Sequence, residues 1–203
     1  MMVNLIQQMT NALIQIALFM LLPFIWWFVT ARRKSSFLDW IGFKPLKDTG
    51  NHKMWLWIFL GLLSFTIFSY LVLYTTVKDL KTATSSFAGL GFQALPAVLI
   101  YSLFQTSLPE ELLFRGFLLK RFSVRLPFGV ANTIQAALFG LLHGLMFITE
   151  VSWLQTLVII LCTGGIAAYL GFVNEKKSGG SILASWICLL YTSPSPRDRT
   201  RSR

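Results

Sequence analysis

Residues 95–122 have the sequence LPAVLIYSLFQTSLPEELLFRGFLLKRF, an apolar stretch that carries charges near its middle. The stretch is long enough to cross a bilayer, which takes about 20 residues as a helix, yet it contains Glu110, Glu111 and Arg115. A charged side chain at the bilayer centre costs about 2.5–3.5 kcal/mol on insertion scales, so such residues usually face the protein interior and serve a function. The stretch therefore predicts a membrane helix that carries a functional site.

The composition of the whole chain places it among membrane proteins. Of its 203 residues, 55% are hydrophobic and only 13% are charged, whereas roughly 25% are charged in a soluble domain. The net charge is +10, but the basic residues lie in short clusters between apolar runs, a pattern that sets orientation in a bilayer. We therefore expect a single domain with the lipid bilayer as a partner and no nucleic-acid partner.

The apolar runs predict an all-α, polytopic membrane helix bundle. About five complete transmembrane helices and a truncated sixth are expected, at residues 3–30, 54–77, 87–122, 127–148, 153–173 and from 181 onward. The third run is too long for one straight span, and Pro96 and Pro109 can break or kink it. The first, third and fifth loops are the richest in Lys and Arg, which predicts that they lie in the cytoplasm and the N-terminus outside.

Helix geometry divides the charged residues of the third run into two groups. Glu111 and Arg115 are four residues apart, so they share a helix face and can pair. Glu110 lies about 100° round the helix from Glu111 and points elsewhere. We therefore expect Glu111 and Arg115 to support the site, and Glu110 to be free for chemistry.

The fourth run contributes His143, four residues after Phe139. Glu110 is about 18 Å along its helix from the turn at Phe122, and His143 is about 21 Å from Gly129, where the next helix starts. In a hairpin of these two helices, Glu110 and His143 therefore reach nearly the same height in the membrane. A carboxylate beside an imidazole can bind or deprotonate a water molecule.

The stretches that contain these residues resemble two motifs of a known family. PEELLFRG (Pro109–Gly116) resembles the EExxxR motif of the CPBP intramembrane proteases, the Abi-like CAAX protease and bacteriocin-processing family that includes the type II CAAX prenyl endopeptidases. FGLLH (Phe139–His143) resembles the FxxxH motif of the same family. The resemblance covers about residues 40–187, and it predicts an intramembrane protease domain of this kind over residues 1–187.

The resemblance implies a hydrolase that cuts a peptide bond of a membrane-attached peptide or lipidated protein, in a bacterial cell membrane. It implies that Glu110 activates the attacking water with help from His143, while Glu111 and Arg115 hold the site in place. Two mechanisms stay open: a metalloprotease with a divalent metal such as Zn²⁺ on Glu110 and His143, and a metal-free glutamate mechanism. A catalytic zinc site takes three protein ligands, so the third ligand is missing from this set.

The chain departs from the family at its C-terminal end. In the family, a His followed four residues later by Asn stands in the last core helix. GGSILASWI (residues 179–187) resembles the approach to that motif, but Leu189 occupies the His position. Residues 188–198, CLLYTSPSPRD, match the translation of a transposase adapter used in sequencing libraries. We therefore predict that residues 188–203 are a disordered, adapter-derived tail, and that the truncated chain is impaired in catalysis.

The same residues allow other interpretations. Glu111 and Arg115 can form a purely structural ion pair, and His143 can be a core histidine bonded to a neighbouring helix. Asn132 and Gln135 are expected to join helices by hydrogen bonds. The alternative to an enzyme is a non-catalytic membrane protein of the same fold that acts in bacteriocin self-immunity or scaffolding. A third candidate is a small proton-relaying transporter, although the sequence shows no internal repeat.

Overall fold

The computed structural model describes residues 5–46, 52–72 and 91–192, and every regular element in these ranges is helical. The predicted all-α class is thereby confirmed. The helices are α1 (Leu5–Thr30), α2 (Phe37–Ile41), α3 (His52–Val72), α4 (91–123), α5 (Phe128–Phe147), α6 (Trp153–Lys177) and α7 (Leu183–Thr192). The backbone of α7 extends into the predicted adapter-derived tail, and residues 193–203 lie outside the described ranges.

Three helices of the described ranges, α1, α5 and α6, are long and apolar enough to cross a bilayer. Their outward faces carry large apolar side chains over a wide area, a surface that soluble proteins avoid and membranes cover. Examples are Leu13, Leu18, Leu141, Leu145, Leu154 and Leu161. The protein is therefore a multi-pass membrane protein. The total of five complete spans and a truncated sixth stays a prediction, since residues 73–90 between α3 and α4 are not described.

Local caps fix several helix ends. Ser152 and Gln155 form a reciprocal cap at the start of α6: the Ser152 side chain accepts from the Gln155 N–H, and the Gln155 side chain accepts from the Ser152 N–H at 2.9 Å. Such a cap satisfies backbone donors that a helix start leaves unpaired. Helix α2 ends at Gly42, whose φ of 84° lies in the left-handed region that a residue without Cβ adopts freely.

Helix α4 runs through the motif stretch without a break at Pro96 or Pro109. Its winding is π-helical at Tyr101–Ser107 and again at Glu111–Leu119, with one α-helical turn, Leu108–Glu110, between them. A proline has no N–H to donate, and here the helix accommodates Pro109 by a change of winding instead of a break. π-Helical segments are rare, and they occur frequently at functional sites.

Neighbouring helices pack tightly around α4. The Phe117 ring of α4 contacts Trp26 of α1 and Trp40 of α2, with ring centroids 5.9 and 6.0 Å apart. On α7, Trp186 donates through Nε1 to the Leu103 carbonyl of α4 at 3.0 Å. A separate apolar core joins α3 to α6 and α7, and its buried members are Met54, Ile58, Phe65, Leu170, Val173 and Ala184. The motif residues therefore stand on a helix that is fixed from several sides.

Two amide side chains join α5 to α6. Asn132 donates through Nδ2 to the Ala168 carbonyl at 2.8 Å, and Gln135 donates through Nε2 to the Ala167 carbonyl at 3.0 Å. Both side chains are buried. The prediction that these residues join helices is confirmed, and hydrogen bonds of this kind contribute on average about 0.6 kcal/mol each inside a membrane.

The same two helices touch through glycines. A Cβ on Gly140 would overlap the Ile160 carbonyl oxygen and would lie 3.1 Å from the backbone nitrogen of Gly164. At Gly165, by contrast, a Cβ would meet open space. Glycine is therefore required at Gly140, where the backbones of α5 and α6 approach each other. It is not required at Gly165, one residue beyond the contact.

We expect Gly140→Ala to lower the free energy of unfolding by about 1–3 kcal/mol, because the added methyl group can only push against backbone atoms. Gly165→Ala is the matched control, and it should be neutral or stabilise by up to about 1 kcal/mol through helix propensity. Thermal unfolding of both variants in detergent micelles measures the difference. Equal midpoints for the two variants would show that α5 and α6 do not touch at Gly140.

Three loop regions meet at one end of the bundle. Lys120, at the end of α4, donates to Glu175 Oε1 at 2.7 Å and to the Gly180 carbonyl at 2.8 Å. The Ile182 N–H donates to the Gly42 carbonyl at 3.0 Å. The first, third and fifth loops thus share one side, as their Lys and Arg content predicts. That this side is cytoplasmic stays a prediction.

Candidate active site

A buried ion pair forms the centre of the site. Glu111 Oε1 lies 3.1 Å from Arg115 Nη1, and both side chains have a relative exposure of 0%. The pairing is the one that their spacing of four residues predicts. Removing two charges from water is expensive, so a fully buried pair persists only where its surroundings supply compensating contacts.

Two polar residues supply such contacts to Glu111. Ser185 of α7 donates through Oγ to Glu111 Oε2. Asn174 of α6 donates through Nδ2 to Ser185 Oγ at 2.6 Å, and its Oδ1 accepts from the Ser185 N–H at 3.0 Å. Both residues are buried. Neither was predicted from the sequence, because no helical spacing rule relates Glu111 to a residue 74 positions away on another helix.

Phe139, the first residue of the second motif, connects α5 to this pair. Its ring lies under the Arg115 guanidinium, with Arg115 Cζ 4.6 Å from the ring centroid. It also meets Phe114 edge to face, with centroids 4.9 Å apart. The aromatic face partly compensates the buried cation through its quadrupole. Phe139 is therefore the residue that brings the two motifs together.

His143 stands one turn further along α5. Its Nδ1 lies 2.9 Å from the Phe139 carbonyl oxygen, and its ring stacks on the Phe139 ring with centroids 4.3 Å apart. A carbonyl oxygen can only accept a hydrogen bond, so Nδ1 carries the proton of the neutral ring. The lone pair then resides on Nε2, which can accept a proton or a metal ion.

Glu110 is partly exposed and is not a member of the ion pair. Within the described ranges no hydrogen bond or ion pair engages its carboxylate, whereas the neighbouring Glu111 pairs with Arg115 and accepts from Ser185. The structure thus separates the two glutamates as helix geometry predicts. Nor does a hydrogen bond or ion pair join Glu110 to His143 among the described residues, so their joint action on one water molecule stays a prediction.

The donors of the described residues do not fit a catalytic zinc ion. Such a site takes three protein ligands and one open position, and the described ranges contain no group of three His, Cys, Asp or Glu side chains that could hold a metal. Glu110 and His143 offer two donors, and Leu189 stands where the family would place a further His. The metal-dependent and the metal-free mechanism both stay predictions.

Comparison with known proteins agrees with the two motifs. Residues 91–190 match the family model described as type II CAAX prenyl endopeptidase Rce1-like. The matched segment contains both motifs as well as Asn174 and Ser185. No curated protein and no solved structure matches the chain.

Proposed function

Because residues 91–190 belong to the Rce1-like type II CAAX prenyl endopeptidase family, we propose that this protein is an intramembrane endopeptidase that hydrolyses a peptide bond through an activated water. One observation carries the proposal. Glu110, whose carboxylate makes no hydrogen bond or ion pair within the described ranges, stands next to Glu111, which pairs with Arg115 and accepts from Ser185, on a helix that packs against the helix of His143. Two adjacent glutamates with different surroundings are suited to different roles.

The chemistry assigned to Glu110 is that of a general base. Its carboxylate takes a proton from a water molecule, and the oxygen of that water attacks the carbonyl carbon of the scissile bond. The carbon–nitrogen bond then breaks, and the proton passes from Glu110 to the leaving amine. His143 Nε2 has a free lone pair and can share the first proton transfer. Neither step consumes a further reactant.

Glu111 and Arg115 are excluded from the base role by their own contacts. Both oxygens of Glu111 are directed at protein groups, Oε1 at Arg115 and Oε2 at Ser185. Both side chains have no exposure, so water cannot reach them without a rearrangement of the helices. Their proposed role is to stabilise the α4 turn that carries Glu110.

The proposed substrate is a peptide or protein attached to the membrane by a lipid near its C-terminus. The family name points to prenylated C-terminal sequences of the form Cys-aliphatic-aliphatic-X. A prenyl chain inserts into the same bilayer that surrounds α1, α5 and α6, and this keeps the adjacent peptide near the membrane surface. A substrate that is anchored in this way can approach the site from within the membrane.

The test is cleavage of a quenched fluorescent farnesylated peptide in liposomes. It is run with the unaltered chain and with a Leu189→His, Ser193→Asn version, which restores the third family motif.

We expect His143→Ala to lower the cleavage rate about 100-fold or more, the usual contribution of a positioned acid–base group. His52→Ala, at the exposed start of α3, is the matched control and should retain the rate. If the peptide is cut in neither background, the proposal is wrong.

A second candidate is a non-catalytic protein of the same fold, with a role in self-immunity or scaffolding. In the chain as given, Leu189 occupies the third-motif His position and so leaves out one polar group of the family's site. This favours the second candidate for this chain alone, because residues 188–203 are predicted to be adapter-derived. The restored version separates the two candidates. If it cuts the peptide and the unaltered chain does not, the fold is catalytic and this chain has lost activity; if neither cuts, the scaffold role is favoured.

A further inference from the structure

Four fully buried polar side chains from three helices form one connected network. Glu111 and Arg115 belong to α4, Asn174 to α6 and Ser185 to α7, and each has a relative exposure of 0%. Asn174 binds Ser185, Ser185 binds Glu111, and Glu111 pairs with Arg115. The network thus reaches the middle of the first motif from two helices that carry no motif residue of their own in the described ranges.

The Asn174 amide orients the Ser185 hydroxyl. Its Nδ2 donates to Ser185 Oγ at 2.6 Å, and its Oδ1 accepts from the Ser185 backbone N–H at 3.0 Å, so two bonds fix the amide. Because Ser185 Oγ accepts from Asn174, its own proton remains available to a second acceptor. The Glu111 carboxylate is within reach of that proton, and a bond to an ionised acceptor is stronger than a neutral one.

Simple helix joining does not require this arrangement. Ser185 Oγ also lies 3.0 Å from the Ile182 carbonyl of its own helix turn, which could satisfy the hydroxyl alone. A pair of Asn174 and Ser185 would then still connect α6 to α7. The hydrogen bond from Ser185 to Glu111 is therefore not needed to join the helices. It stabilises a buried carboxylate that would otherwise be paired with Arg115 alone, at high cost.

We propose that Ser185 and Asn174 are positioning residues of the protease site. They hold the Glu111 carboxylate, and thereby Arg115 and its contact with Phe139, so that the turn with Glu110 keeps its place relative to His143. This inference rests on the proposed function. It assigns a role to two residues that touch neither the substrate nor the attacking water.

The experiment compares Ser185→Ala with Ser185→Thr in the same farnesylated-peptide assay, in whichever background cuts faster. We expect Ser185→Ala to lower kcat about 10- to 100-fold, as losses of orienting hydrogen bonds commonly do, with little change in KM. Ser185→Thr keeps the hydroxyl and should restore most of the rate. Asn174→Ala should resemble Ser185→Ala, since Asn174 orients the Ser185 hydroxyl. Ser178→Ala is the matched control, because Ser178 is equally buried but its hydroxyl has no hydrogen-bond partner in the described ranges.

A double variant shows whether Ser185 acts through Glu111. Residues that act through one another give non-additive effects, so Glu111→Gln with Ser185→Ala should be no slower than Glu111→Gln alone. A double variant slowed by the product of the two single effects would overturn the inference, as would parental kcat in Ser185→Ala. If neither background cuts the peptide at all, the proposed function is wrong and the positioning role falls with it. If the parent cuts and Ser185→Ala cuts equally fast, only the positioning role is wrong.

Discussion

Glu110→Gln should lower the rate of peptide cleavage about 100- to 10,000-fold, the range that a positioned general base contributes. Glutamine keeps the size and polarity of the side chain but cannot take a proton from water. Initial rates with the farnesylated peptide in liposomes measure the loss. The thermal unfolding midpoint in detergent should stay at the parental value, because Glu110 makes no hydrogen bond or ion pair within the described part of the chain.

Glu150→Gln is the matched control for this variant. Glu150 is exposed in the turn after α5, outside the site, so its loss should leave the rate unchanged. A Glu110→Gln protein that retains more than a tenth of the parental rate would remove Glu110 from the base role.

Arg115→Met should lower the free energy of unfolding by about 3–5 kcal/mol, the usual cost of removing one partner of a buried ion pair. The cost arises because the Glu111 carboxylate remains buried without its counter-charge. Denaturant or thermal unfolding in detergent measures it. Arg125→Met is the matched control: Arg125 is exposed in the turn between α4 and α5, so its replacement should change stability very little.

Replacing both partners checks the cause of that loss. Glu111→Gln combined with Arg115→Met removes the buried charge altogether, so the double variant should be more stable than Arg115→Met alone. If the double variant is instead as unstable as the sum of the two single variants, packing rather than charge explains the effect. The two variants Glu110→Gln and Arg115→Met together separate chemistry from support, since the first should affect rate alone and the second mainly stability.

The sequence could predict several features that depend on local spacing or on composition. Apolar runs give the membrane class and most of the helices, because burial in lipid demands long apolar segments with internally paired backbones. A spacing of four residues gives the pairing of Glu111 with Arg115 and the separation of Glu110 from both. The two motifs likewise predicted the family, which the match over residues 91–190 confirms.

Other features of the site depend on how the helices are rotated against one another, and no local rule specifies that rotation. Phe139 meets Arg115 across the α4–α5 contact, and the change of winding at Pro109 maintains a helix where a kink was possible. The clearest case is the contact of Ser185 with Glu111, which joins residues 74 positions apart. The sequence alone thus determines which charges lie within apolar stretches and which of them can pair along one helix. Only the tertiary structure decides which neighbours from other helices satisfy those charges, because a buried carboxylate takes its remaining hydrogen bond from whichever donor the packing brings within reach.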